Sequence, residues 1–187
     1  MSFRLLLLGE LALLVVGLAW MFLGSLSVPI DFTGDSLRSA LWLTLGMALV
    51  NFPLFFVARR ARFGRNACAF LEEEIFPLVR AASAWELLAA AALAGAAEEL
   101  LFRGLLQPRI GLLAASALFG YLHGPSRSLV SLAVWAGAVG AALGLVFRAT
   151  GNLAVPALAH ALYDALALFY IRYRPEDPGD AYGRTPE

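Results

Sequence analysis

The sequence predicts an all-α, polytopic membrane protein: a transmembrane bundle of about six helices with a short interfacial amphipathic helix. Three observations carry this. The 187 residues are 60% hydrophobic, whereas a soluble domain is about 45–50% apolar, and the mean hydropathy is +0.75. Apolar segments recur at 4–25, 39–58, 84–106, 109–123, 128–147 and 153–171. Most reach the ~20 residues that a helix needs to cross ~30 Å of hydrocarbon. Arginines crowd the second connection, Arg59, Arg60, Arg62 and Arg65, while the first carries Asp31, Asp35 and a single arginine, Arg38.

The first segment runs from Leu5 to Leu23. It exceeds the about 7–15 residues of a signal-peptide core, and no A-x-A site follows it, so it is expected to stay as the first helix. Glu10 within it reads as an interfacial or structural carboxylate. By the positive-inside rule the arginine imbalance places the N-terminus in the cytoplasm, residues 26–38 outside and residues 59–82 inside. Six crossings return Arg172 and Arg174 to the cytoplasmic side of a membrane expected to be a bacterial plasma membrane.

In "NACAFLEEEIFPLVR", Cys68, Leu71 and Ile75 recur at helical spacing around Glu72, Glu73 and Glu74. This predicts an amphipathic helix on the membrane surface, ended by Pro77. Ser83-Ala84-Trp85-Glu86 matches a capping box and starts the third membrane helix near Ala84. The fourth segment, 109–123, is short for a crossing and is expected to be tucked into the bundle or partly re-entrant. Ala136, Gly140 and Gly144 form a small-xxx-small face for close helix packing. The tail "RPEDPGDAYGRTPE" is polar and rich in Pro and Gly, and disorder is expected. The expected division is residues 1–83 as amino-terminal membrane helices with the interfacial helix, 84–171 as a helix core, and 172–187 as a cytoplasmic tail.

Composition also excludes functions. The net charge is zero, so nothing suggests nucleic acid; the expected partner is the bilayer. One cysteine, Cys68, rules out an intrachain disulfide and a multi-cysteine metal cluster. The two histidines, His123 and His160, are the whole imidazole supply.

Glu98, Glu99 and Arg103 lie near the middle of the third helix, where an unpaired charge costs ~2.5–3.5 kcal/mol. These groups must be paired, protonated or facing a wet cavity. At ~100° per residue, Arg103 is ~40° around the axis from Glu99 but ~140° from Glu98. Glu99 and Arg103 are also an i,i+4 pair in the favourable order, so Arg103 neutralises Glu99 and Glu98 faces elsewhere. Phe119 and His123 share one face of the fourth segment, and His160 and Asp164 share one face of the sixth. Counting 1.5 Å per residue from the turns near Gln107–Arg109 and Thr150–Asn152, Glu98 lies about 15 Å deep, His123 about 20 Å, His160 about 12 Å and Asp164 about 18 Å. Four polar groups on three helices at similar depth are what one site would give.

These residues resemble the signature of the CPBP family, the CAAX prenyl proteases and bacteriocin-processing or Abi proteins. That signature is EExxxR, then FxxxH, then HxxxN or HxxxD on successive membrane helices. Here it reads Glu98-Glu99-Leu-Leu-Phe-Arg103, Phe119-Gly-Tyr-Leu-His123 and His160-Ala-Leu-Tyr-Asp164. Arg103-Gly104 and Gly151-Asn152 resemble the family's flanks, and the resemblance covers about residues 84–166. It implies an intramembrane endopeptidase in which Glu98 and His123 activate a water, His160 and Asp164 stabilise the oxyanion, and Glu99, Arg103 and Phe119 support the geometry. An Asn amide donates to an oxyanion but an ionised Asp cannot, so Asp164 must be protonated, orient His160, or bind a cation. No cofactor is needed for the glutamate mechanism; the alternative is a Zn²⁺ held by Glu98, His123 and His160, although the HExxH helix of zincins is missing. Two other functions compete: a non-proteolytic immunity or scaffold protein of the same fold, and a small proton-coupled transporter. Intramembrane Glu/His/Asp clusters also mark ion paths, but no repeat or pair of broken helices supports the transporter.

Overall fold

The computed structural model describes residues 3–175, and among them every regular element is a helix. The tail read as disordered lies outside the described residues from 176 onward. Helix α1 spans Phe3–Leu23 and α2 spans Gly34–Arg60, with Thr33 Oγ1 accepting from the Ser36 N–H at its start. Then come α3 (Arg65–Ala81) and α4 (Ala84–Ile110), which meet at a 120° bend. The remaining helices are α5 (Leu112–His123), α6 (Val130–Thr150, after a 3₁₀ turn at Arg127–Leu129) and α7 (Ala154–Tyr173).

Four of these stretches are long and apolar enough to cross a membrane, or five if the bent α3–α4 pair is one span. This is an integral membrane protein. Its outer faces agree with a lipid solvent: Leu5, Leu8, Val15, Phe22, Trp42, Leu49 and Val50 are all exposed. Such an apolar belt would drive aggregation in water. The fourth apolar segment becomes only twelve helical residues, which reach about 18 Å, so α5 does not span a bilayer on its own. It packs antiparallel on α6, with Gly120 against Ala133 and Gly137 and Leu112 beside Gly144.

One boundary differs from the expectation. Pro77 does not end the amphipathic helix, which runs on to Ala81. A π turn over Leu71–Ile75 precedes it, with the Phe76 N–H bonded to Leu71 O. This wider turn takes up the missing proline donor without breaking the rod. The Ser83 capping box forms as expected. Ser83 Oγ accepts from the Glu86 N–H at 3.3 Å, and Glu86 Oε2 accepts from the Ser83 N–H at 2.8 Å.

The bundle has two ends. At one, Asn152 joins the α6–α7 turn to the first connection. Its Nδ2 donates to Asp31 O at 2.8 Å, and its Oδ1 accepts from Asp31 N at 2.9 Å and from Ala154 N at 3.0 Å. The last bond caps α7. At the other end Phe3 packs with Val79, Ala82 and Leu87, and Arg4 pairs with Glu86 at 3.3 Å. Helices α1, α4 and α6 therefore run one way, and α2, α5 and α7 the other. Gly95 sets the α4–α7 separation: a Cβ there would lie 2.6 Å from Ala157 O.

Candidate active site

The site lies where α4, α5 and α7 converge. Directly after Glu99, α4 widens into a π segment over Leu100–Leu106, a distortion that often accompanies functional positions. Glu98 and Glu99 precede it and point to different partners. Glu99 is fully buried, and its Oε1 accepts two bonds, from Arg103 Nη1 at 2.8 Å and from His160 Nδ1 at 2.9 Å. The pairing of Glu99 with Arg103 is as the helical geometry predicts. The bond to His160 is an addition, because it crosses to α7.

Arg103 does more than neutralise. Its Nη2 donates to Gly140 O at 3.0 Å, and one turn on, Gln107 Nε2 donates to Gly144 O at 2.9 Å. The small-residue face of α6 is thus a pair of backbone acceptors read by two side chains four residues apart. Gln107 is a site-supporting residue that sequence reasoning missed; its spacing from Arg103, matched to Gly140 and Gly144, is the signal that points to it. The Arg103 guanidinium also lies 4.5 Å over the Phe119 ring. Phe119 stacks against His123 at 4.4 Å and meets Phe102 edge-on at 5.0 Å, so it is the spacer that holds the cation apart from His123.

Both imidazoles have one nitrogen tied down. His123 Nδ1 lies 2.9 Å from Phe119 O, a group that can only accept, so Nδ1 carries the proton and Nε2 is turned outward. His160 Nδ1 donates to Glu99 in the same manner. Each remaining Nε2 faces Glu98: His123 at 3.8 Å from Oε1, His160 at 3.8 Å from Oε2. These separations exceed a hydrogen bond, so Glu98 sits between two oriented imidazoles without bonding either. Asp164 Oδ2 is 3.5 Å from His160 Nε2. Exposure falls inward across the set: His123 and Asp164 side chains are 36% and 31% exposed, Glu98 11%, and Glu99 0%. The open side is therefore the one lined by His123 and Asp164.

Glu98, His123 and His160 face one another, yet among the described residues no three His, Cys, Asp or Glu side chains are arranged to hold a metal ion. No step below runs through a metal.

Residues 80–166 match the family model of the type II CAAX prenyl endopeptidase Rce1-like proteins. Over that stretch, somewhat less than half of the chain, the sequence is similar to an Rce1-like domain. The match agrees with the CPBP resemblance and contains all seven residues of the three motifs. "Uncharacterized protein YpbD" of Bacillus subtilis (strain 168) is 46% identical over 77 residues, 41% of this chain. The chain spans about two fifths of that relative's length, 41%. No solved structure matches.

Two polar groups with buried atoms come from helices that precede the matched residues. Asn51 of α2 accepts from Trp135 Nε1 at 2.9 Å, tying α2 to α6. Glu10 of α1 has a buried Oε2 with no hydrogen-bond partner among the described residues, and it interacts electrostatically with His160 and Asp164. Its buried Oε2 agrees with the structural half of the sequence reading, which left it interfacial or structural.

Proposed function

We propose that this protein is an intramembrane endopeptidase of the CPBP type, acting on a membrane-associated peptide or protein through a glutamate-activated water. The observation that carries the reading is the placement of Glu98 between two imidazoles, 3.8 Å from each Nε2, with both Nδ1 atoms tied to other acceptors. A structural ion pair would close to hydrogen-bond length. This arrangement leaves Glu98 oxygen and His123 Nε2 both open towards the exposed side.

The chemistry follows from the atoms present. A water donates one hydrogen to Glu98 and the other to the lone pair of His123 Nε2. Glu98 takes its proton as the water oxygen bonds to the scissile carbonyl carbon, and the carbonyl oxygen becomes an oxyanion. A doubly protonated His160 offers Nε2–H to that oxyanion while Glu99 accepts from its Nδ1–H, and Asp164 stands beside it. Collapse breaks the C–N bond, and Glu98 returns the proton to the leaving amine. The second water hydrogen stays on the new carboxyl group. Glu99 and Arg103 keep His160 in position throughout.

The test uses purified protein in proteoliposomes and two probes: an internally quenched peptide bearing an S-farnesyl cysteine in a C-terminal CAAX sequence, and a set of quenched hydrophobic peptides. Glu98→Ala and His123→Ala should each lower the rate of a cleaved probe by about 10²–10⁴-fold, the range for loss of general acid–base catalysis. A chelator should leave the wild-type rate unchanged. Full activity in both variants, or no cleavage of any probe by the wild type, counts against the reading.

A further inference from the structure

We propose that Thr44 of α2 is a positioning residue for His160, and that Asn51, two turns further along the same face, does the same for the α6 wall of the site. The inference rests on the endopeptidase reading and adds residues that lie outside the matched stretch 80–166.

Helix α2 carries no residue of the three motifs, yet its buried face is Ser36, Ala40, Thr44, Met47 and Asn51. These recur every three or four residues, so they form one stripe. Three of the five are polar, and in a membrane helix such groups are used to bond across to neighbours. All three do so. Ser36 Oγ accepts from Asn152 Nδ2 at 2.9 Å, at the clasped end. The Thr44 hydroxyl donates to Ala40 O at 2.9 Å within α2 and shares its hydrogen with Ala159 O of α7 at 3.2 Å. Asn51 Oδ1 accepts from Trp135 Nε1 of α6 at 2.9 Å. Around Thr44, Ala40 and Met47 pack with Ala159 and Tyr163 of α7 and Leu143 of α6.

Ala159 and Tyr163 share the face of α7 that meets α2. His160 and Asp164 follow them by one residue each, ~100° further around the axis, on the side that meets α4. A fixed Ala159 therefore fixes the direction of His160. The tolerance is small. A turn of about 10° about the α7 axis, at the ~5–6 Å radius of its side chains, moves His160 by about 1 Å, against separations of 2.9 Å to Glu99 and 3.8 Å to Glu98. Misplacement on that scale costs a reaction about 10²-fold. Apolar packing is non-directional, and the small Ala40 and Ala159 side chains offer little to interlock. A hydroxyl aimed at one carbonyl is directional. On α6 the arrangement is similar, because Trp135 and Gly140 lie ~140° apart around the axis. Asn51 holds the back of α6 through Trp135, while Arg103 holds its front through Gly140 O at 3.0 Å. Trp135 also packs against the cluster of Phe102, Phe119 and Ala136.

The experiment uses the full chain in proteoliposomes and the cleaved probe above. Thr44→Val keeps the shape of the side chain and removes the hydroxyl. It should lower kcat by about tenfold or more, towards the ~10²-fold cost of a 1 Å misplacement, with KM little changed. One hydrogen bond between membrane helices adds little stability, so the melting temperature should fall by less than about 3 °C. Thr44→Ser restores the hydroxyl and should recover about half or more of the wild-type kcat. Asn51→Leu should also lower kcat, but cost less than about twofold in a Trp135→Phe background, where the donor it serves is gone. Wild-type kcat in Thr44→Val, a loss that Thr44→Ser does not recover, or an equal loss from Asn51→Leu in both backgrounds would each overturn the proposal. So would a melting temperature that falls by about 10 °C or more in step with kcat, since Thr44 would then only stabilise the fold. Each of these leaves the Glu98 result, and with it the endopeptidase reading, intact. A measurement independent of turnover covers a wild type that cleaves no probe. The chain has only two histidines, so protein carrying isotope-labelled histidine should show the His160 Nδ1–H proton as a low-field resonance, which His123→Ala retains. Thr44→Val should move that resonance, because the bond to Glu99 changes; an unmoved resonance overturns the proposal.

Discussion

Glu99 illustrates how two adjacent side chains of the same type can take opposite parts. Its Oε1 accepts from Arg103 and His160 together at 2.8 and 2.9 Å, while Glu98 reaches no donor at bonding distance. Stability and activity should therefore separate. Glu99→Gln leaves a buried guanidinium without its counter-charge, and breaking such a pair costs about 3–5 kcal/mol. Glu98→Gln breaks no bond and should cost less than about 1 kcal/mol, yet remove activity. Thermal unfolding in detergent, read beside the cleavage assay, checks both; equal destabilisation by the two variants would contradict the division of labour. The division itself is legible in sequence, because 100° per residue separates Glu98 from Arg103. The acceptors that lie on other helices are not. Periodicity fixes which face a residue occupies but not which helix lies opposite.

At the level of elements, three glycine contacts bring the site's helices together: Gly95 joins α4 to α7, Gly120 joins α5 to α6, and Gly140 receives Arg103 and Phe119. A Cβ at Gly140 would stand 3.0 Å from Arg103 Nη2 and 3.1 Å from Phe119 Cδ1. At Gly95 it would meet the Ala157 carbonyl and the Ala161 backbone, neither of which can rotate away. Gly95→Val should thus cost at least the about 1–3 kcal/mol of an overpacked interior and lower activity, because it parts Glu98 and Glu99 from His160. Gly46, whose Cβ would meet nothing within 4 Å, is the control: Gly46→Ala should leave melting temperature and cleavage rate essentially unchanged. A Gly95→Val protein with the wild-type melting temperature would show that this contact does not set the α4–α7 separation. The small-xxx-small spacing and the Ser83 cap are readable because they are local patterns. The survival of α3 past Pro77 is not, because it depends on a π turn that no single residue announces. The shortness of α5 is half-readable: segment length hints at it, but its end at His123 reflects the Gly124 contact with Leu129 and Ala133.

For the whole molecule, the helical class follows from hydropathy alone, since segments that cross lipid must satisfy their own backbone groups. The direction from which substrate enters needs the assembled bundle. His123 and Asp164 form the exposed rim, and His123 is the last residue of α5, directly before the turn at Gly124, Pro125 and Ser126. That turn belongs to the bundle end that carries the arginine-rich connection after α2, since α3 packs near the 3₁₀ turn at Arg127–Leu129. The opposite end is closed by the Asn152 clasp on Asp31 and Ser36. If the arginines mark the cytoplasmic side, the site opens to the cytoplasm. Single cysteines in a Cys68→Ser background test this. Ser126→Cys should react with a membrane-impermeant maleimide only in inverted vesicles, and the adduct should slow cleavage by narrowing the rim. Gly34→Cys, at the clasped end with nothing within 4 Å of its Cβ position, should react only in right-side-out vesicles and leave cleavage unaffected. Swapped sidedness would reverse the topology while preserving the site. Labelling of Ser126→Cys without loss of activity would instead mean that substrate reaches Glu98 laterally between helices, and the rim at His123 would then be a water entrance.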